Sequence, residues 1–220
     1  MGRPFIGIAG NIGVGKTTFT TKISKIFQLN PYYESVIDNP YLSDFYKNME
    51  RWSFNLQVYF LNHRFRAHQE MMMTKNGVVQ DRTIYEDVEI FAKNLYEMDH
   101  LSKRDWKNYK DLFSLMSQFI DSPDIIIYLR ASIDTLLDRI RNRDRNFEKD
   151  IDSEYLYKLN ISYEKWIKSL KKDKVMIIET DDFNIFEDYK MLEEIVNQIS
   201  DRFSNYNMKI QQKFIRDLNC

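Results

Sequence analysis

Of the six glycines in this 220-residue chain, all but Gly77 lie at or before Gly15, and they constrain the fold more than any other feature. Gly10, Asn11, Ile12, Gly13, Val14, Gly15, Lys16 and Thr17 read G-x-x-x-x-G-K-[ST], with Thr18 next in line. That spacing cradles phosphate when a strand precedes it and a helix follows. Residues 5–9 are a short apolar run that reads as a buried strand, and 17–27 read as a helix. Glycines let backbone N–H groups curl around an anion, and the helix N-terminus adds positive potential. Lys16 is expected to reach the β- and γ-phosphates of a nucleotide, and the Thr17 hydroxyl to ligate Mg²⁺. A glycine-rich turn without a ligand is the plain alternative. The strand–loop–helix context argues against it.

Four more strand-like runs follow, at 32–36, 78–80, 125–129 and 175–178. Between them the pattern is helical: 40–49, 52–73, 85–98, 105–119, 132–143, 153–170 and 186–203. In 52–73, Trp52, Leu56, Tyr59, Phe60 and His63 are spaced as one face. Strands alternating with helices imply parallel pairing and right-handed crossovers. The expected fold is α/β, a five-stranded parallel sheet wrapped by helices. It is a single domain over 1–220, with no internal repeat or low-complexity linker.

Composition removes several classes of function. The formal net charge is −1, so no global field draws the chain to nucleic acid. No apolar run approaches membrane-spanning length, and the chain enters its first strand without room for a signal peptide. The single cysteine, Cys220, cannot form an intrachain disulfide, which points to a reducing, cytoplasmic setting. His63 and His68 are five apart, not the spacing of a helical metal pair, so zinc is not expected. Met71, Met72 and Met73 read as core or interface packing, and 209–216 as an amphipathic C-terminal helix.

In an open parallel sheet, ligands collect beyond the carboxyl ends of the strands. That rule selects Glu34, Asp81, Arg82, Arg130 and the stretch from Glu179 to Phe183. Asp81 ends an apolar strand beside the phosphate loop, as a partner of nucleotide-bound Mg²⁺ does, although a helix N-cap is also open. Arg82 could neutralise charge in phosphoryl transfer or hold a catalytic carboxylate; a surface arginine is the alternative. Glu34 stands among aromatics, where desolvation raises a carboxylate pKa and suits a general base. Arg139, Arg141, Arg143 and Arg145 form a basic run. It reads either as a solvated, salt-bridged face or as a lid over about 139–150 that closes on triphosphate.

Taken together, these residues resemble the deoxynucleoside kinases, the group that includes the deoxycytidine, deoxyguanosine and deoxyadenosine kinases. The match covers most of the chain. The resemblance implies a P-loop kinase with an Arg-rich lid that transfers phosphate from ATP, with Mg²⁺, to a deoxynucleoside 5′-hydroxyl. It implies that Glu34 takes the proton, that Tyr46 holds the sugar 3′-hydroxyl and that Gln57 reads the base edge. Asp81-Arg82-Thr83 looks like the family's Glu/Asp-Arg-Ser motif. Phe91 matches the phenylalanine that stacks on the base. Arg143, Arg145 and Glu148 look like the lid, and Asp181-Asp182-Phe183 like the loop that contacts adenine. Arg64 and Asp87 match a pair that the family uses for purine or cytosine bases. Asp38-Asn39-Pro40 is similar to bacterial deoxyadenosine and deoxyguanosine kinases, so deoxyadenosine is the first expectation. A homodimer through the long helices is also implied. Ser35, Asn39 and Thr83 depart from the commonest pattern, and Asn39 bears on the shape of the base pocket. A nucleoside monophosphate kinase of the thymidylate kinase type and a non-catalytic nucleotide switch are the competing readings.

Overall fold

A computed structural model describes residues 3–34, 39–142, 151–206, 208 and 210–215. The sheet comprises β1 (Phe5–Gly10), β2 (Asn30–Tyr32), β3 (Val78–Asp81), β4 (Ile125–Arg130) and β5 (Val175–Glu179), all parallel, in the order β2-β3-β1-β4-β5. The helices are α1 (Lys16–Phe27), α2 (Leu42–Lys47), α3 (Met49–Met73), α4 (Ile84–Glu86), α5 (Lys93–Glu97), α6 (Lys103–Ser117), α7 (Ile133–Asn142), α8 (Ser153–Ser169) and α9 (Tyr189–Arg202). The central strands β1 and β4 are near-continuous apolar runs because helices cover both faces. On β4, Ile125, Ile127 and Leu129 point into one core, and Ile126 and Tyr128 into the other. The first core is closed by Phe19 and Ile23 of α1 and Leu192, Ile195 and Ile199 of α9. The second is closed by Phe45 of α2, Leu56 and Leu61 of α3, and Tyr155 and Leu159 of α8.

Several expectations shift. β2 is Asn30–Tyr32 rather than 32–36, so Glu34 stands beyond the strand. The strand is set by pairing, Asn30 against Val78 through Tyr32 against Gln80, and not by the β-prone Tyr33. The long helix begins at Met49, not Trp52. Asn48, at φ −152° and ψ 85°, separates it from α2, and the Asn48 side chain accepts the Arg51 N–H at 3.0 Å. The buried residues of α3 are Ser53, Leu56, Gln57, Leu61, Arg64, His68 and Met71, while His63 is exposed. Counting apolar residues misplaces this face because four of its inward positions, Ser53, Gln57, Arg64 and His68, are polar. Residues 84–97 are not uniformly α-helical: a π-helical turn, Asp87–Ala92, lies between α4 and α5. Of the methionine run, Met71 is buried and Met73 is exposed. Within 209–216, the described residues 210–215 form one 3₁₀ turn, Gln212–Phe214, instead of the expected amphipathic helix. Gln211 N–H is tied to the Ile26 carbonyl at 2.7 Å, and Ile215 is buried in the first core.

Candidate active site

Register brings the strand ends together. Ile8 pairs with Asp81, Gly10 with Leu129, and Arg130 with Glu179, so the expected residues line one edge of the sheet. The phosphate loop leaves that edge from Gly10 and enters α1 at Lys16. Gly13 (φ +87°) and Gly15 (φ +99°) occupy backbone regions that L side chains rarely adopt. Gly13 is also hemmed in by α7: an added Cβ would meet Ile140 Cγ1 at 2.8 Å and the Leu136 carbonyl at 2.9 Å. Nothing lies within 4 Å of such an atom at Gly15. Gly13→Ala is therefore expected to cost about 1–3 kcal/mol more than Gly15→Ala, which thermal melts with and without ATP would measure.

The loop opens into a cleft of about 940 Å³. Its lining includes Ile12, Gly13, Val14, Gly15, Lys16, Thr17, Thr18, Glu34, Tyr46, Gln57, Asp81, Arg82, Asp87, Phe91, Arg139, Asp182 and Phe183. Sequence reasoning missed Tyr33, Phe60 and Tyr155, which line it as well. Arg143, Arg145, Glu148 and Asp38 lie outside the described residues.

At the phosphate end, the Thr17 hydroxyl donates to Asp81 Oδ2 at 2.5 Å. The other Asp81 oxygen is buried and has no partner among the described residues. A hydroxyl beside a carboxylate with a spare oxygen, at the mouth of a phosphate loop, fits Mg²⁺ delivered with a nucleotide. Lys16 Nζ donates to the Asn11 carbonyl at 3.0 Å. Burial and Arg82 lower its pKa to about 8, against the pull of Asp81, Glu34 and Glu86.

Deeper in the cleft stands an ionic cluster. Glu34 Oε1 accepts from Arg64 Nη2 at 2.8 Å and lies 3.1 Å from Arg82 Nε. Arg64 Nε donates to Asp87 Oδ2 at 2.6 Å. Burial by itself would raise the Glu34 pKa, as expected from its aromatic neighbours. Arg82, Arg64 and Lys16 outweigh burial and hold the carboxyl well below the usual carboxylate range. The expected direction was therefore wrong, because the two arginines lie far from Glu34 in sequence and next to it in space. Asp81 is shifted upward by burial, and Asp87 is raised by burial to about 6 against the pull of Arg64. The π-helical turn places both Asp87 and Phe91 on the cleft, and Arg82 Cζ sits 4.3 Å from the Phe91 ring centroid. Gln57 is buried on α3, with a side-chain oxygen that has no partner among the described residues.

Other side chains turn elsewhere. Asn11, expected at the nucleotide, sends its amide away from the cleft to the Leu156 carbonyl at 3.0 Å and to Asn160 Oδ1 at 2.6 Å on α8. Only its backbone can serve phosphate. Arg139 donates to the Val14 carbonyl at 3.2 Å and to the Thr180 carbonyl. It thus clamps the phosphate loop to the segment after β5. Phe183 is largely buried in the first core, and Asp182 is exposed. Two residues with no motif to mark them complete the cluster. Glu86 and Tyr163 are wholly buried behind Arg82. The only available signal was Glu86 three residues after Thr83, a capping-box spacing.

A 2-3-1-4-5 parallel sheet, a glycine-rich loop opening α1, and a buried Lys–Asp–Arg–Glu group at its mouth define a P-loop kinase. Comparison with known proteins narrows that class. A family model described as "Deoxynucleoside kinase" matches residues 6–205, and the chain belongs to this family. The deoxyadenosine/deoxycytidine kinase of Bacillus subtilis (strain 168) is 38% identical over 197 residues, covering 89% of this chain and 91% of the relative. The deoxyadenosine kinase of Dictyostelium discoideum is 44% identical over 167 residues, covering 76% of this chain and 68% of that one. Among solved structures, deoxyadenosine kinase from M. mycoides with bound dATP superposes with a TM-score of 0.79 at 31% identity, over 90% of this chain and 100% of that one. The chain is an enzyme that phosphorylates deoxynucleosides.

Proposed function

We propose that this kinase transfers phosphate from ATP to the 5′-hydroxyl of a deoxynucleoside bearing an exocyclic amino group, with deoxyadenosine preferred. The observation that carries the amino-group reading is the Arg64-bound Asp87 carboxylate, which borders the cleft with Gln57, while the choice of deoxyadenosine follows the Asp38-Asn39-Pro40 sequence. The carboxylate suits an amino group such as N6 of adenine or N4 of cytosine and opposes O4 of thymine, whereas the Gln57 amide carries both a donor and an acceptor. Relatives named for deoxyadenosine and deoxycytidine support the same reading. Tyr46 and Glu148 hold the sugar, and Phe91 stacks on the base. Glu34 takes the proton from the hydroxyl, and Arg82 aims Glu34 and meets the transferring group. Lys16 stabilises charge on the phosphate oxygens, together with Arg143 and Arg145 of a lid over 139–150. Asp182 and Phe183 border the adenine of ATP. Thr17 and Asp81 would hold Mg²⁺, which when bound neutralises charge on the phosphates. Most of the acceleration is then positioning and electrostatics. The chain acts as one domain in a reducing, cytoplasmic setting. Exposed Met72 and Met73 on α3, with Leu115 on α6, support a homodimer through the long helices.

A competition assay with the four deoxynucleosides and labelled ATP tests the preference. Deoxyadenosine should win; thymidine as the best acceptor would overturn the reading, as would phosphorylation of deoxyadenosine monophosphate alone. Asp87 adds a pH signature. With the folded pKa near 6 and a free value of 3.8, its contribution to stability is greatest below the free value and falls as pH rises through about 6. Protonation in the cleft removes an acceptor. The KM for deoxyadenosine is therefore expected to rise up to about tenfold as pH falls through that range. Asp87→Asn should flatten the profile.

A further inference from the structure

We propose that Tyr163 and Glu86 form a buried relay that aims the Arg82 guanidinium, making both of them positioning residues for phosphoryl transfer. The inference rests on the role given to Arg82 above and adds what holds Arg82 in place.

Arg82 has an unusual backbone. Its φ of 66° is in the left-handed region, which Arg rarely adopts. The turn is pinned from several sides. Arg82 N–H donates to the Ile8 carbonyl at 3.0 Å, and the Arg82 carbonyl accepts from Arg64 Nη1 at 2.9 Å. Glu86 binds the next peptide: its Oε1 accepts the Thr83 N–H at 2.9 Å. Its Oε2 accepts the Gly10 N–H at 3.3 Å. One carboxylate therefore ties the start of the phosphate loop to the turn that presents Arg82.

The side chain is held by the same group. Arg82 Nη1 donates to the Tyr163 hydroxyl at 2.6 Å, and that hydroxyl donates to Glu86 Oε2 at 2.7 Å. With Phe91 against its face and Glu34 at Nε, the guanidinium is gripped on both edges and one face. Glu86 and Tyr163 show no exposed surface, and neither borders the cleft, whereas Glu34, Arg82 and Phe91 do. They cannot touch substrate: Tyr163 acts through Arg82, and Glu86 acts on Arg82 both through Tyr163 and directly at 3.5 Å, besides holding the Gly10 and Thr83 N–H groups. Packing accounts for the Tyr163 ring, stacked on Tyr128 at 5.5 Å between centroids, but not for its hydroxyl or for Glu86. A buried carboxylate is a poor stabiliser beside an apolar residue of similar size, so one retained behind an arginine at the reacting centre points to geometry.

Steady-state kinetics and melting of Tyr163→Phe, Glu86→Gln, their double variant, Tyr163→His and Arg82→Lys test the relay. Tyr163→Phe should lower kcat about tenfold to a hundredfold, the effect of losing one hydrogen bond to a charged group. KM for deoxyadenosine and ATP should stay within about threefold, and Tm within about 4 °C. Histidine can accept from Arg82 and donate to Glu86, so Tyr163→His should recover most of the rate. The double variant should be no slower than the slower single one, because both act through one group. Wild-type kcat in folded Tyr163→Phe, a loss that matches the loss of folded enzyme, or no recovery with histidine would each overturn the relay. If Tyr163→Phe does not fold, Glu86→Gln decides by the same criteria. Arg82→Lys separates the two levels. Full activity there sinks the role of Arg82 itself, whereas a slow Arg82→Lys beside an unaffected Tyr163→Phe sinks only the relay.

Discussion

Glu34→Gln is expected to lower kcat for deoxyadenosine by about 10²- to 10⁴-fold, the range that a positioned general base supplies. The substitution keeps the size of the side chain and its ability to accept from Arg64 and Arg82. It removes the charge that can receive a proton. Arg82, Arg64 and Lys16 hold this carboxyl well below its usual range, against the opposing effect of burial. Glu34 is thus ionised at every working pH, always available but intrinsically a weak base. Its strength must come from alignment. Two consequences follow. The acid limb of the rate profile should not report an ordinary glutamate. In stability, a depressed folded value contributes above the free value of 4.5 and is lost as pH falls below it, so Glu34→Gln should flatten that part of the acid unfolding curve. The competing base is Asp81, shifted the other way by burial and bonded to Thr17. If Glu34→Gln turns over at near wild-type rate while Asp81→Asn is inactive, the proton goes to Asp81.

Arg64→Leu should give the largest loss of stability, about 3–5 kcal/mol, because it removes one partner from a buried ionic group. Arg64 bridges Glu34 at 2.8 Å and Asp87 at 2.6 Å, and its side chain is only 6% exposed. Without it Asp87 loses its ion-pair partner inside the protein, and Glu34 keeps Arg82. In a domain of this size, the loss corresponds to a drop in Tm of roughly 6–20 °C. The double variant Arg64→Leu, Asp87→Leu should recover most of that stability, since it removes both charges and fills the space with apolar groups. It should not recover selectivity. With the acceptor at Asp87 gone, thymidine should gain relative to deoxyadenosine in the competition assay. Differential melting of the two variants, followed by that assay, checks both effects. Equal stability of the single and double variants would show that the stranded Asp87 charge is not the source of the loss, and wild-type stability of Arg64→Leu would show that the bridge contributes little.

The alternation of elements was legible because most strands are short apolar runs and the connections carry helical spacing; β2, Asn-Pro-Tyr, is the exception, and it was expected two residues too late. The long helix was harder. Its start depended on Asn48, a cap whose role is clear only once the chain has turned there. Its inward face held Gln57 and Arg64, which a count of apolar residues rejects. The helix after β3 was expected, but not its π-helical turn at Asp87–Ala92, since no local propensity distinguishes one wide turn.

The phosphate loop, the parallel five-stranded sheet and the family motifs were determined by the sequence itself. They depend on spacing along the chain: glycines at fixed offsets, a lysine and a hydroxyl at a helix start, a carboxylate at a strand end. The working chemistry was decided only by the tertiary structure. Whether Glu34 is raised or depressed, where the Asn11 amide points, and what stands behind Arg82 depend on groups distant in sequence that packing brings within 4 Å, as Arg64, Arg82 and Tyr163 show. Electrostatic and hydrogen-bond energies fall with distance through space, and separation along the chain does not enter them.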